Sequence, residues 1–340
     1  MEAGQSGHEA TLDRLRPDLD PYANDPGRWG ASLVALGEII VPCLDAVGAR
    51  SVVEVGAYAG DLTGLLLEWA GGSGARVWAI DPAPRKPLVE LAARHPELEL
   101  VRETSHAALR HVPLPDVAIV DGDHNYYTVS EEIRLIAERA SGADLPLLIF
   151  HDVGWPHARR DDYYDPDLIP EEHRHPIDEG TGLYPGVTDV REGGLPYRFK
   201  AREEGGPRNG VLTAVEDFAA GRDGLRLAVV PAFFGLGVVW HEDAPWAGAV
   251  AEILKPWDRN PLLERLEANR VLHLASSHFQ MVQAARAQER AARQEAVLRR
   301  LLQSSAFAVA ERLSRVRHRA GIATGQSVVS KDDIRRALGD

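Results

Sequence analysis

Two short polar sequences in this chain combine residue types that bind cations and move protons. One is Asp121-Gly-Asp123-His124 and the other is His151-Asp152, and each directly follows a short apolar run. If these runs are neighbouring parallel strands, their carboxyl ends bring the polar side chains into one crevice. Carboxylates that share a crevice repel one another, which raises their pKa values unless a cation neutralises them. The pattern therefore predicts a divalent cation, and Mg²⁺ suits such a carboxylate-rich set.

His124 is the candidate general base of this crevice. A neutral imidazole has a pKa near the working pH and can take the proton from a hydroxyl group. A histidine just after a strand is equally typical of a simple hydrogen-bonding residue, and the sequence leaves both interpretations open. We expect His124 and Asp121 to be the catalytic residues.

A glycine-rich turn earlier in the chain predicts a second kind of site. The apolar run Ser51–Val55 contains Glu54 and leads into Gly56-x-Tyr58-x-Gly60, after which apolar residues recur at helical spacing. A strand, a turn and a helix in this order let the backbone approach a ligand closely. The spacing differs from the Gly-x-Gly-x-x-Gly of dinucleotide sites. An acid at the strand end suits a cationic ligand, and S-adenosylmethionine carries both an ammonium and a sulfonium group.

Asp81 ends the second predicted strand, 21 residues after Gly60. An acid at this position accepts hydrogen bonds from ribose hydroxyls in folds that bind nucleosides. Its alternative role is to cap the helix that begins near Pro82. The two motifs together predict a nucleoside ligand with a cationic tail.

The elements that would position these residues alternate between strand and helix. Apolar runs predict strands at 51–56, 76–81, 97–102, 116–120 and 146–150, separated by helices near 61–71, 85–95 and 105–111 and by a further helix around 129–140. Such alternation predicts a doubly wound parallel sheet with right-handed crossovers. Two later runs, 225–231 and 234–240, predict a closing β-hairpin.

These motifs resemble those of a known family. The turn Gly56-Ala-Tyr58-Ala-Gly60 resembles motif I of the class I S-adenosylmethionine-dependent methyltransferases, and in particular the metal-dependent catechol-type O-methyltransferases. The pair Asp-Gly-Asp-His and Phe-His-Asp resembles metal-assisted O-methyltransferases and the related natural-product and sugar-tailoring enzymes. The resemblance implies a Rossmann-like seven-stranded α/β sheet of five parallel strands and a closing hairpin.

The resemblance also implies a set of site residues. The cofactor would be bound by Glu54, Gly56, Tyr58, Gly60, Asp81, Ser105 and Asp121, and the metal by Asp121, His151 and Asp152. Ser105 belongs to the turn after the third strand, which meets the adenine in this family. Where the catechol-type enzymes have Asp-Asn after the fifth strand, this chain has His-Asp. The implied reaction is O-methylation of a small polyhydroxylated or glycosylated metabolite.

Composition limits the other classes of function. The chain has 340 residues and a formal net charge of -13, which argues against a nucleic-acid partner because phosphate binding needs a basic surface. Its one cysteine, Cys43, excludes an intrachain disulfide and a cysteine-based zinc site. We see no signal peptide and no apolar stretch near the roughly 18 residues that span a bilayer, so we expect a cytoplasmic protein.

Composition and apolar periodicity along the sequence predict four regions. They are a loose arm over 1–28, a cofactor-binding domain over 29–242, a helical extension over 243–320 and a tail over 321–340. Within the domain, residues 153–208 are rich in Pro, Gly, His and Tyr and predict an insertion that acts as a lid. The extension carries an amphipathic, arginine-rich helix. We expect it to pack on its own core or to form a homo-oligomer, in preference to lying on a membrane.

Two other functions remain open at this stage. Asp121-Gly-Asp123 also fits the Asp-x-Asp metal motif of a nucleotide-sugar glycosyltransferase, although that leaves the glycine turn and Asp81 without a role. The second alternative is a non-catalytic scaffold that acts through the C-terminal helices.

Overall fold

The structure is a computed structural model that describes residues 32–140, 142–179, 182–187, 194–322 and 329–338. The predicted arm over 1–28 lies outside the described residues, as does part of the predicted tail.

A seven-stranded mixed sheet forms the centre of the molecule. Its strands are β1 Ser51–Val55, β2 Arg76–Ile80, β3 Leu98–Val101, β4 Val117–Val120, β5 Leu147–Phe150, β10 Leu225–Val230 and β11 Leu236–His241. The strand order is β10-β11-β5-β4-β1-β2-β3. The first five strands are parallel, and β11 runs antiparallel to both β5 and β10. The predicted doubly wound sheet with a closing hairpin is therefore confirmed.

Helices cover both faces of this sheet. They are α1 Gly37–Val47, α2 Asp61–Ser73, α3 Lys86–Arg94, α4 Ser105–Ala108, α5 Tyr126–Ala137, α6 Val211–Ala220 and α7 Ala247–Leu254. A single 3-10 turn, Leu33–Leu36, precedes α1 and is capped by Ser32. The predicted helix near 105–111 is shorter than expected, because regular helical structure ends at Ala108.

Two apolar layers hold the sheet between its helices. On one face Ile40 and Leu66 pack with the strand residue Val52. On the other face Ile133 and Val215 pack with strand residues such as Phe150. Strands β4 and β5 are buried along their whole length, as expected for central strands of a sheet covered on both sides. Burial on both faces fixes the strands, and with them the residues that follow their carboxyl ends.

The insertion (residues 153–208) folds against the carboxyl edge of the sheet. It contains two small two-stranded sheets, one formed by β6 Ile177–Asp178 and β9 Lys200–Ala201 and the other by β7 Gly182–Leu183 and β8 Leu195–Pro196. The buried carboxylate of Asp161 attaches it to the domain, because it accepts hydrogen bonds from the backbone of Tyr126 and of Gly210. Its first half is therefore fixed by specific bonds to the domain.

The chain ends in a helical extension, as predicted. It includes α8 Pro261–Gln303 and α9 Ser305–Arg319, whereas α10 Lys331–Leu338 lies within 321–340, the region predicted to be a tail. Near its start, α8 packs Val271 and Ala275 into an apolar cluster that also holds Leu195 of the insertion. None of the helices among the described residues combines the length and apolar character that a membrane crossing needs.

Candidate active site

One cavity of about 460 Å³ opens at the carboxyl edge of the sheet. Its lining comes from the ends of β1 to β5 and the turns that follow them, from α5 and from the insertion: Val55, Gly56, Tyr58, Ile80, Asp81, Pro82, Ala83, Thr104, Ser105, His106, Asp121, Gly122, Asp123, His124, Thr128, Glu132, Asp152, Tyr164, Asp165, Leu168 and Ile169. The cavity lies where open α/β sheets bind their ligands. Of the predicted site residues, Gly56, Tyr58, Asp81, Ser105, Asp121, His124 and Asp152 line it.

Gly56 allows two strand ends to approach each other closely. Its φ of 85° lies in the left-handed region that favours glycine. A Cβ built on it would overlap the backbone carbonyl of Asp121. The turn after β1 and the turn after β4 therefore touch through backbone atoms, and a larger residue would separate them.

Asp81 is held in a fixed orientation at the cavity wall. One carboxylate oxygen accepts a hydrogen bond from the Tyr58 backbone at 2.7 Å, and the other accepts one from the Ala83 backbone at 2.7 Å. Each oxygen keeps a second lone-pair direction for a ligand. The expected helix-capping role is wrong, because α3 begins at Lys86 with Arg85 as its N-cap. Asp81 instead orders the turn after β2, and its place in the cavity wall fits the ligand role.

Two predicted cofactor residues do not line the cavity. The buried carboxylate of Glu54 accepts a hydrogen bond from the Thr63 hydroxyl at 2.6 Å, since the side chain points toward α2. Burial raises the pKa of Glu54 to about 8, against the lowering effect of Thr63. A Cβ on Gly60 would press on Leu88 and Leu91 of α3. Both residues shape the turn, so any effect on a ligand there is indirect.

His151 and Asp121 form a pair behind the cavity wall. The Nδ1 atom of His151 lies 3.0 Å from Asp121 Oδ1 and 3.5 Å from Asp152 Oδ2. Its Nε2 atom lies 2.9 Å from the Phe233 carbonyl, which can only accept, so Nε2 carries a proton. Burial opposes the charged ring, but Asp121 and Asp152 outweigh it and raise the pKa of His151 to about 10.

His124 lies on the cavity side of the same acids. Its Nε2 atom is 3.0 Å from Asp152 Oδ2 and 4.0 Å from Asp121 Oδ1. Burial lowers the pKa of His124, but Asp152 and Asp121 more than offset it, so the net shift is upward. The side chain is 30% exposed, so an acceptor molecule in the cavity can reach the ring.

The donor set around Asp121 and Asp152 fits a divalent cation. Asp121, His124 and Asp152 each bring one ligand atom within 4.8 Å of the others. The Nδ1 atom of His151 faces the same two acids, while its Nε2 proton is fixed by a backbone carbonyl, as is common for metal-bound histidines. The metal ligands predicted from the sequence therefore face one another, and His124 is a further candidate.

A second group, His124, His157 and Asp162, also has ligand atoms within 4.8 Å of one another. The two imidazole rings are stacked, with centroids 4.6 Å apart and planes inclined by 30°. The lone pair of an imidazole nitrogen lies in the ring plane, so stacked rings direct their lone pairs to separate points. We therefore do not interpret this group as a metal site.

Asp123 has a structural role in this arrangement. Its Oδ1 atom accepts a hydrogen bond from the backbone of Tyr164, in the insertion, and its Oδ2 atom accepts from Asn125 and Thr128. The Oδ2 atom has both lone pairs engaged and the Oδ1 atom is held by the insertion, so the carboxylate connects the insertion to the start of α5. The Asp-x-Asp metal motif of the glycosyltransferase alternative is disfavoured for this reason.

The sequence reasoning missed some of the residues that line the cavity. Glu132 and Thr128 of α5 line it, and so do Tyr164, Leu168 and Ile169 of the insertion. A signal for Glu132 was present, because this acid falls on the helix face that also carries Val129 and Ile136. The insertion residues carry no local signal, since their position depends on long-range contacts.

Comparisons of sequence with known proteins give no match. No family model matches the chain, and no curated protein matches it in sequence. The sheet itself has the five parallel strands and the antiparallel closing hairpin that the sequence resemblance implied. The fold is a Rossmann-like, doubly wound α/β fold.

Two solved structures illustrate the likeness. An SAH-bound methyltransferase from Podospora anserina is 14% identical, with a TM-score of 0.42 over 72% of this chain and 98% of its own. An O-methyltransferase from Streptomyces achromogenes involved in tomaymycin synthesis, in complex with SAM, is 14% identical, with a TM-score of 0.38 over 61% of this chain and 79% of its own. Both are named as methyltransferases. Because these TM-scores are low, the chemistry of this chain has to be inferred from its own residues.

Proposed function

We propose that this protein is a class I S-adenosylmethionine-dependent methyltransferase that transfers a methyl group to a hydroxyl oxygen of a small molecule. The observation that carries the proposal is a single cavity that joins two different ends. One end has the glycine turn, Asp81 and Ser105, and the other has Asp121, His124 and Asp152. A nucleoside with a cationic tail fits the first end, and a polar acceptor fits the second.

The cofactor end suits each part of S-adenosylmethionine. Asp81 would accept the ribose hydroxyls, because both of its oxygens are oriented by backbone amides and face the cavity. The turn after β3, with Ser105, would lie beside the adenine. Asp121 would lie near the cationic tail, where a carboxylate stabilises the ammonium and sulfonium charges.

The acceptor end suits a hydroxyl group and a divalent cation. Asp121, His151 and Asp152 would hold the ion, which we propose to be Mg²⁺ because oxygen ligands dominate the accessible part of the site. A bound ion would lower the pKa of an acceptor hydroxyl and fix its position. Without the ion, the charge of these carboxylates is offset by His151, whose pKa they raise to about 10.

His124 would accept the proton of the acceptor hydroxyl. In the transfer, the C–O bond forms while the C–S bond breaks, its electron pair stays on sulfur, and the hydroxyl proton moves to the imidazole. The reaction needs the oxygen, the methyl carbon and the sulfur in line, so positioning is the main task of the cavity walls. The insertion contributes Tyr164 and Leu168 to those walls and would help to exclude water.

Ligand binding distinguishes this proposal from its rivals. The unmodified protein is titrated calorimetrically with S-adenosylmethionine, S-adenosylhomocysteine, a UDP-sugar and NAD. We expect binding of the first two at micromolar concentrations and no binding of the others. Binding of the UDP-sugar without S-adenosylhomocysteine would replace the proposal with the glycosyltransferase alternative, and binding of none would favour the scaffold.

Product analysis identifies the acceptor class. Incubation with methyl-labelled S-adenosylmethionine and a panel of glycosides, sugars and catechols should label compounds with vicinal hydroxyls. We expect the label on oxygen, and a chelator should reduce the rate. An undiminished rate in chelator would remove the metal from the mechanism.

A further inference from the structure

Glu132 has a buried carboxylate without a hydrogen-bond partner. Its side chain is fully buried, and neither of its oxygens has a partner in hydrogen-bonding geometry among the described residues. Burial raises the pKa of Glu132 to about 8, against the lowering effect of the Ser105 hydroxyl near it. The same residue lines the cavity. A buried acid in this state is costly, because its oxygens have lost their water without gaining a donor.

A second buried glutamate, Glu54 in β1, makes the contrast clear. Its carboxylate accepts a hydrogen bond from the Thr63 hydroxyl at 2.6 Å. The Ser105 hydroxyl lies near Glu132 and lowers its pKa, but it does not meet either oxygen in hydrogen-bonding geometry. A donor on a bound ligand would therefore satisfy the Glu132 carboxylate.

Four residues that line the cavity form the part of it that we call the slot: Ile80, Ser105, Thr128 and Glu132. Glu132 and Thr128 are one turn apart on α5. Gly122 lies between β1 and the slot, because a Cβ built there would lie 3.2 Å from Val55 Cγ1 and 3.8 Å from Glu132 Oε1. His106 Nε2 lies 3.2 Å from the Thr128 carbonyl and joins the turn after β3 to α5, which holds the two sides of the slot together.

The position of the slot in the cavity indicates which part of S-adenosylmethionine would bind there. This step depends on the proposed function, in which Asp81 receives the ribose and Asp121 lies near the cationic tail. The base must then extend from the ribose away from Asp121, toward Ser105 and α5. The donor that adenine offers at its rim is the exocyclic amino group, whereas unsubstituted purine offers none there.

We propose that Glu132 accepts a hydrogen bond from the exocyclic amino group of the cofactor's adenine and thereby makes the site selective for adenine. Ser105 and Thr128 flank the same slot, so the base is enclosed by the turn after β3 and by α5. Glu132 is a specificity-determining residue in this proposal and takes no part in the transfer of the methyl group.

The test compares two ligands and three proteins by titration calorimetry. The ligands are S-adenosylhomocysteine and its analogue with unsubstituted purine in place of adenine. The proteins are the unmodified chain, Glu132→Met and the control Glu131→Met, which alters the neighbouring glutamate that bonds Arg134 on the outer side of α5. We expect the unmodified chain and the control to prefer the adenine ligand by at least about 10-fold, since the purine analogue leaves the buried carboxyl group without a donor.

In Glu132→Met this preference should fall to within about threefold, because the methionine offers no strong acceptor. An unchanged preference in Glu132→Met would overturn the assignment, and so would equal affinity of the unmodified chain for both ligands. Neither result would affect the proposed function, which fails separately if the unmodified chain does not bind S-adenosylhomocysteine at all.

A spectroscopic readout covers the case in which Glu132→Met does not fold. S-Adenosylhomocysteine with ¹⁵N in its amino group is bound to the unmodified chain and to Glu132→Gln, which keeps the size of the side chain. We expect the amino resonance to move between the two complexes, because an amide oxygen is a weaker acceptor than a carboxylate. Identical amino resonances in the two complexes would overturn the proposal.

Discussion

The two ends of the cavity are built in different ways. At the cofactor end, Asp81 is oriented by backbone amides from residues close by in the chain or on the adjacent turn. At the acceptor end, Asp121 and Asp152 are surrounded by His151 and His124, and their partners come from several elements. The cofactor end is a product of local turn geometry, and the acceptor end is a product of tertiary assembly.

This difference indicates how sequence variation could alter the ligand that each end binds. The backbone contacts at the cofactor end leave little room for variation, because Gly56 and the turn after β4 touch directly. The acceptor end is partly covered by the insertion, which meets the domain through side chains such as Asp161 and Asp123. A different insertion could alter the acceptor while the cofactor end stays the same.

The largest effect should follow from Asp152→Asn. We expect the methyl-transfer rate to fall by at least about 100-fold, because the variant loses a carboxylate that organises the acceptor end. The affinity for S-adenosylhomocysteine should stay within about threefold if the two ends are independent. Single-turnover rates and calorimetry measure the two quantities. The control is Asp167→Asn, which alters an exposed site in the insertion. If Asp152→Asn also lost affinity for S-adenosylhomocysteine, the two ends of the cavity would not be independent.

Gly56→Ala tests the contact between the two turns. A Cβ at this position meets the Asp121 backbone at a positive φ, so we expect a loss of about 2 to 4 kcal/mol in the free energy of unfolding. Urea unfolding measures it. Gly64→Ala is the matched control, because a Cβ there meets nothing within 4 Å inside α2 and should stabilise the helix slightly. Equal stability of the two variants would show that the close approach is unimportant.

Asp81→Asn addresses the cofactor end alone. We expect the affinity for S-adenosylhomocysteine to fall by about 10-fold, since the amide accepts the ribose hydroxyls more weakly than a carboxylate does. Calorimetry compares it with Glu90→Gln, which alters an exposed acid on the following helix. If both variants bind like the unmodified chain, Asp81 acts only as a cap for the turn.

The smallest effect concerns the pH dependence of stability at Glu54. Burial raises its pKa to about 8 in the folded state, above its unfolded value of about 4.5. The folded state therefore holds the proton of the Glu54 carboxyl more tightly than the unfolded state does. The resulting contribution to the free energy of unfolding is fully present below the unfolded-state pKa and is lost as the pH rises through the folded-state pKa. Glu54→Gln should remove a decline of about 1 kcal/mol between pH 7 and pH 8.

Urea unfolding at several pH values checks this prediction. Glu68→Gln, at an exposed site on α2, is the control and should follow the unmodified chain. An identical pH profile for Glu54→Gln and the unmodified chain would mean that Glu54 is not protonated in the folded state over this range.

The fold and the cofactor end could be predicted because their signals are local. The residues that follow the apolar runs could be identified along with the strands, so Asp81, Asp121 and Asp152 were found at the cavity. The details of the acceptor end could not be predicted. Asp123 was expected beside the acids, but its oxygens are engaged by Tyr164 and Thr128, and one of these partners lies 41 residues away.

By itself, the sequence determined the alternation of strands and helices, the glycine turn after β1 and the acids at the strand ends, because periodicity and spacing are local properties. Tertiary structure decided which of those side chains face the cavity. It turned Glu54 toward Thr63, joined His151 to Asp121 and left Glu132 in the slot without a partner. The physical reason is that the environment of a polar group depends on which distant elements pack against it.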